Sequence, residues 1–97
     1  WSAAAVIPAG SGIWQMNNRL YDESLQYFYR CDALCRGLDR EDASGFMVMA
    51  NLRIGNIYDV QGKRGLAEEQ YRKVSAMKEY LGSRRMAEQY IKTPFVQ

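Results

Sequence analysis

The chain has 97 residues, 47% of them hydrophobic, 12% aromatic and 25% charged, and a net charge of +2. That length makes one domain with a modest core, and the aromatic content excludes a disordered chain. The small net charge excludes a polyanion partner attracted by overall charge alone, and no apolar run reaches the ~18 residues a membrane span needs.

Pro8 and Pro94 are the two prolines, and the stretch between them is dominated by Leu, Met, Ala, Glu, Arg and Gln. This is the composition of an all-α chain. Residues 1–12 read as an irregular arm, in which Ala3-Ala4-Ala5-Val6-Ile7 fits a short helix or an extended segment and Pro8, Gly10 and Gly12 interrupt it. The opening carries no basic region and no Met, so it reads as a cut from a longer protein rather than as a signal peptide. Residues 9–17 are expected to form a stunted helix with Ile13, Trp14 and Met16 as its contacts, followed by a turn at Asn17-Asn18-Arg19.

Asp22 is the expected N-cap of the next helix, with Glu23 suiting the positive end of its dipole. Its inward stripe is Ser24, Leu25, Phe28, Cys31, Leu34 and Cys35, and Gly37 or the following Leu38–Asp42 segment ends it. Cys31 and Cys35 share a helix face, which fits a redox pair or half of a metal site. Two small buried residues is the favoured reading, because no His is present and a zinc site needs ligands from another chain. Thiols lean towards a reducing compartment such as the cytoplasm, and nothing else in the chain bears on localisation.

Asp42 or Ser44 caps a long helix to about Gln61. Met47, Ala50, Asn51, Ile54, Gly55 and Tyr58 form its core side, and Phe46, Met49, Leu52, Ile57 and Val60 make the other side apolar too. Such a helix is either enclosed or offers a groove. Gly55 costs about 1 kcal/mol against Ala in a helix, which implies that another helix backbone comes close. Gly62 breaks the helix, and the next runs from Arg64 to about Tyr80 with Ala67, Tyr71 and Val74 buried, Lys78 near its end and Gly82 terminating it. A last helix, Ser83 to Lys92, turns Met86, Ala87, Tyr90 and Ile91 inward and Arg84, Arg85, Glu88 and Gln89 outward, and Pro94 stops it.

The order Gly55, Tyr58, turn, Ala67, Tyr71, Val74 resembles the tetratricopeptide repeat, a helix–turn–helix unit of about 34 residues. Ser24, Phe28 and Cys31 echo Ala67, Tyr71 and Val74, and Ala87 and Tyr90 echo Gly55 and Tyr58. The interval from Ser24 to Ala67 is 43 residues, longer than the family's period, and Asn51 stands where the family has a large apolar residue. The resemblance implies an all-α array of antiparallel helix–turn–helix repeats, an α-solenoid piece of about two and a half units: 13–38, 43–80 and a capping helix at 83–92. Repeat packing would rest on Ser24, Phe28, Cys31, Ile54, Gly55, Tyr58, Ala67, Tyr71, Val74, Ala87 and Tyr90.

The resemblance also implies a non-catalytic interaction module whose concave groove takes an extended peptide or a partner helix. Its groove face would include Met49, Leu52, Arg53, Asn56, Asp59 and Val60. Asn56 and Arg53 match positions that some members use to grip a carboxylate, but Leu52 stands where that clamp has Lys, so a mixed groove is expected. The alternative is a packing or oligomerisation domain whose groove a neighbour fills. Exposed repeat ends make dimerisation or end-to-end stacking an expectation as well.

Catalysis, cofactors and metals are not expected. The chain has no His and no phosphate loop, and the acidic cluster Asp39, Glu41, Asp42 reads as a helix-capping loop. Residues 62–97 hold eight basic and four acidic side chains, against five and seven in 1–61. Lys63, Arg64, Arg72, Lys73, Arg84 and Arg85 are nonetheless interspersed with Glu68, Glu69 and Glu79, so nucleic-acid binding is not expected either.

Overall fold

The computed structural model describes residues 11–36, 38 and 41–97. Of the irregular arm expected at 1–12, residues 1–10 lie outside the described residues, as do Gly37 as a helix stop and the side chains of Asp39, Glu41 and Asp42, while Ser11 and Gly12 already belong to the first helix. Five helices pack together: α1 (Ser11–Asn17), α2 (Tyr21–Cys35), α3 (Glu41–Val60), α4 (Arg64–Ala76) and α5 (Ser83–Lys92). No strand occurs among the described residues. α3 packs against α2, α4 and α5, while α1 rests on α2 and α5 on α4.

The central place of α3 follows from its two apolar sides. Ala50, Ile54 and Ile57 join Met16, Phe28, Cys31 and Cys35 in one buried cluster. Val48 and Leu52 join Ala67, Tyr71, Val74 and Ala87 in another. The helix is therefore enclosed on both sides by its neighbours. Asn51 is almost fully buried and is accommodated by its amide, which donates to Asp32 Oδ1 (2.9 Å) on α2 and to the Met47 carbonyl (2.8 Å).

The two helical hairpins, α1–α2 and α3–α4, turn in the same way. Arg19 and Gly62 both take left-handed backbone conformations, with φ of 62° and 77°. The next residues nearly coincide, Leu20 at φ −91°, ψ 68° and Lys63 at φ −96°, ψ 65°. The same paired bonds close each turn: Arg19 N–H to Met16 and Leu20 N–H to Gln15, then Gly62 N–H to Asp59 and Lys63 N–H to Tyr58. This is a Schellman closure, which satisfies the last carbonyls of a helix. Gly fills the left-handed position at 62 without steric cost, whereas Arg19 is held there against a penalty of about 1–2 kcal/mol.

A small residue lies under an aromatic ring in both hairpins. A Cβ at Gly55 would meet the Tyr71 ring at 2.5 Å, and one at Gly12 would meet Tyr27 at 2.5 Å and Phe28 at 2.6 Å. What comes close to Gly55 is thus a side-chain ring, not the second backbone expected from the sequence. Ser24, fully buried, donates its hydroxyl to the Gly12 carbonyl at 2.8 Å and ties α2 to α1.

Three boundaries differ from the sequence expectation. Asp22 lies inside the first turn of α2, and the N-cap is Leu20, with no side-chain cap bond. The long helix begins at Glu41, ahead of both expected caps, Asp42 and Ser44. α4 ends at Ala76 rather than near Tyr80, and Gly82 (φ 81°) is the N-cap of α5 rather than the stop of α4. Arg84 accounts for part of this early stop: its guanidinium donates to the Ser75 and Met77 carbonyls, both at 3.1 Å, and so satisfies acceptors where the helix stops.

Candidate functional site

The candidate site is built around the Asp59 carboxylate, near the end of α3. Its side chain is 2% exposed. Arg64 Nη1 lies 3.0 Å from each of its oxygens, the Tyr71 hydroxyl donates to Oδ2 at 2.6 Å, and the Phe95 backbone N–H donates to Oδ2 at 3.0 Å. A buried carboxylate needs this many donors, because leaving its charge unpaired in a low-dielectric site is costly. Asn56 extends the network: its amide donates to the Tyr71 hydroxyl (3.1 Å), and its oxygen accepts from Arg53 Nη1 (3.0 Å). Burial, then the bond to Asp59, pushes the Tyr71 hydroxyl well above its ordinary range, although the Asn56 bond and the Arg64 charge act the other way. It therefore keeps its proton and stays a hydrogen-bond donor to Asp59 at ordinary pH.

Arg64 binds the network to α5. Its Nη2 donates to the carbonyls of Tyr90 (2.7 Å) and Ile91 (2.6 Å), at the negative end of that helix, and its Nε pairs with Glu68 at 3.2 Å. α3, α4 and the end of α5 are thus fixed relative to one another around one carboxylate.

Pro94 has no N–H to extend α5, and the chain beyond turns back across the end of α3. Phe95 packs edge-on against Tyr90 (centroids 5.5 Å apart, 87° between planes) and against the first core cluster. Gln97 reaches the α1–α2 turn, donating to the Met16 carbonyl at 2.9 Å and accepting from the Tyr21 hydroxyl at 2.8 Å. Beside this strap lies an open cleft of about 240 Å³ lined by Arg19, Tyr21, Asp59, Val60, Phe95, Val96 and Gln97. The strained backbone of Arg19 is therefore at the cleft's rim.

The residues expected on a groove face are placed unequally. Leu52 and Asn56 are completely enclosed, so neither is available to a ligand in this chain. Met49 and Arg53 are half-buried, Met49 against the second core cluster. Arg53, Asn56 and Asp59 do come together, in one network through Tyr71 beneath the surface, and Asp59 and Val60 alone of the six line the cleft. Of the residues expected to pack between helices, Ser24, Phe28, Cys31, Ile54, Gly55, Ala67, Tyr71, Val74 and Ala87 are buried, and Tyr58 and Tyr90 are half-buried.

Sequence reasoning missed Tyr21, Arg64, Phe95 and Gln97 as parts of the site. The available signal was an apolar pair, Phe95-Val96, after the helix-stopping Pro94, which favours a segment that folds back onto the body.

Cys31 and Cys35 are buried thiols with no disulfide between them. Burial pushes the Cys31 thiol up to about 11, against the opposing bond from Tyr27. Among the described residues, no group of three or more Cys, Asp or Glu is placed to hold a metal ion. No described helix is long and apolar enough to cross a membrane. Comparison of the chain with family models, with curated proteins and with solved structures gives no match.

Proposed function

We propose that the chain is a tetratricopeptide-like interaction module, without catalytic activity, that takes an extended peptide in the cleft beside the end of α3. The observation that carries this reading is the correspondence of its hairpins. Gly12, Arg19, Ser24, Phe28 and Cys31 correspond to Gly55, Gly62, Ala67, Tyr71 and Val74, each 43 residues later: a glycine under an aromatic ring, a left-handed turn residue, and three buried positions on the second helix. The exposed Arg85, Glu88 and Gln89 on α5 suit a polar end to such an array. Of the basic residues towards the end of the chain, Arg64, Arg72 and Arg84 are engaged by internal carboxylates or carbonyls, which favours a protein partner over a phosphate backbone.

A peptide library presented to the intact chain tests this, with Val60→Glu as the control. Val60 lines the cleft and is half-buried, so a carboxylate there obstructs the site without entering the core. Binders of the wild type that Val60→Glu rejects while keeping its helicity support the reading. Binders indifferent to the substitution contradict it.

A second reading, a packing domain that associates with its own copies, is favoured by Trp14 and Ile13. They lie on α1 at 60% and 36% exposure and form an apolar face at one end of the array. Sedimentation over a wide concentration range separates the two readings, since a persistent monomer excludes self-association.

A further inference from the structure

The strap at residues 93–97 forms one wall of the cleft, seated on Asp59, Tyr90 and the α1–α2 turn, and the bonds that hold it there amount to a recognition code. The Phe95 main-chain N–H is read by Asp59, a contact available to any residue but Pro. The Phe95 ring is read by Tyr90 and the first core cluster. The Gln97 amide donates to the Met16 carbonyl and, at 3.4 Å, to Asn17 Oδ1, and it accepts from the Tyr21 hydroxyl. The Met16 carbonyl can only accept, so a carboxylate in place of the amide lacks the donor that this bond needs, while a primary amide supplies that donor and an acceptor for the Tyr21 hydroxyl at once. Val96 between them is 83% exposed and goes unread.

From this we infer that the seat of the strap, which opens onto the cleft, is selective for an extended segment with an aromatic residue and, two positions later, a primary amide, and that residues 93–97 are its built-in occupant, which such a partner displaces to lie along the cleft. The inference rests on the reading of the chain as a peptide-binding module. It adds the ligand's chemistry and a built-in brake: while the strap is seated the binding-competent fraction is small, and apparent affinity falls in proportion.

The probe is a fluorescent Lys-Thr-Pro-Phe-Val-Gln peptide, capped at both ends, titrated into the full chain. Phe95→Ala/Gln97→Ala, which loosens the strap, is expected to bind it about 10-fold or more tightly than wild type. Adding Tyr21→Phe to that variant, or replacing Gln by Glu in the peptide, is expected to return the affinity to the wild-type level or below. Equal affinity for wild type and variant, or indifference to the Gln→Glu change, overturns the inference. So does strap-dependent dimerisation in place of peptide binding, since the occupant would then be a second copy. If library peptides bind in a Val60-dependent way while this probe does not, the module reading stands and this one falls. If neither binds, both fall. Should the double variant lose helicity, the wild type carries the test: excess probe must speed hydrogen exchange at the Phe95 amide, and no change contradicts the inference.

Discussion

Asp59 collects donors from three residues, Arg64 and Tyr71 on α4 and Phe95 beyond α5, and its removal from water is offset only while they remain. Tyr71→Phe keeps the ring over Gly55 but takes one donor from Asp59 and the acceptor from Asn56. Leaving buried polar atoms without partners costs about 1–3 kcal/mol each, so chemical denaturation should show a loss of that order. A change below a few tenths would mean that water already serves these groups. Cys31 gives the molecule an alkaline limit. Its thiol titrates near 11 in the folded chain against 9.0 ordinarily, because burial penalises the thiolate. A group raised in this way contributes stability in full below pH 9 and loses it as the pH climbs towards 11, since the unfolded chain then releases its proton first. Tyr27, pushed up to about 12 by burial and by its neighbour Cys31, extends the decline. Urea midpoints measured at pH 8, 9 and 10.5 should therefore fall, and fall less in Cys31→Ala.

At the scale of the elements, glycine positions separate packing from propensity. Gly55→Ala places a methyl at 2.5 Å from a ring that is fully buried and fixed at its hydroxyl, so overpacking of about 1–3 kcal/mol is expected despite the better helix propensity of Ala. Gly65, also helical, has open space where its Cβ would be, and Gly65→Ala should stabilise by up to about 1 kcal/mol. Opposite signs in thermal unfolding support the ring-over-glycine contact, and equal signs contradict it. These elements were largely legible in the sequence because the information is local. Ser24, Phe28 and Cys31 announce their helix face by spacing, and Gly62 announces its turn. The end of α4 was not legible, because Arg84, several residues further on, takes the Ser75 and Met77 carbonyls, and no periodic pattern records that. Arg19 was read as part of a turn, but its left-handed backbone had no glycine to signal it.

Across the whole molecule, α3 links two cores, and the strap crosses its end to join α5 to the first hairpin. Of the residues expected from the sequence to face a groove, Leu52 and Asn56 lie deeper than expected, fully enclosed in the fold. Leu52 and Asn56 sit on the side that α4 and α5 cover, and the covering partners lie far along the chain: Tyr71 is fifteen residues from Asn56, and Phe95 thirty-six from Asp59. Which face of an all-round apolar helix stays accessible depends on such distant neighbours and not on its own pattern. The measurement that bears most directly on the account is hydrogen exchange at the Phe95 amide of the intact chain. If the strap is seated, that amide exchanges far more slowly than the exposed ones around it, and saturating capped Lys-Thr-Pro-Phe-Val-Gln removes the protection. An amide that exchanges at the rate of an open peptide, with or without the probe, would contradict the account.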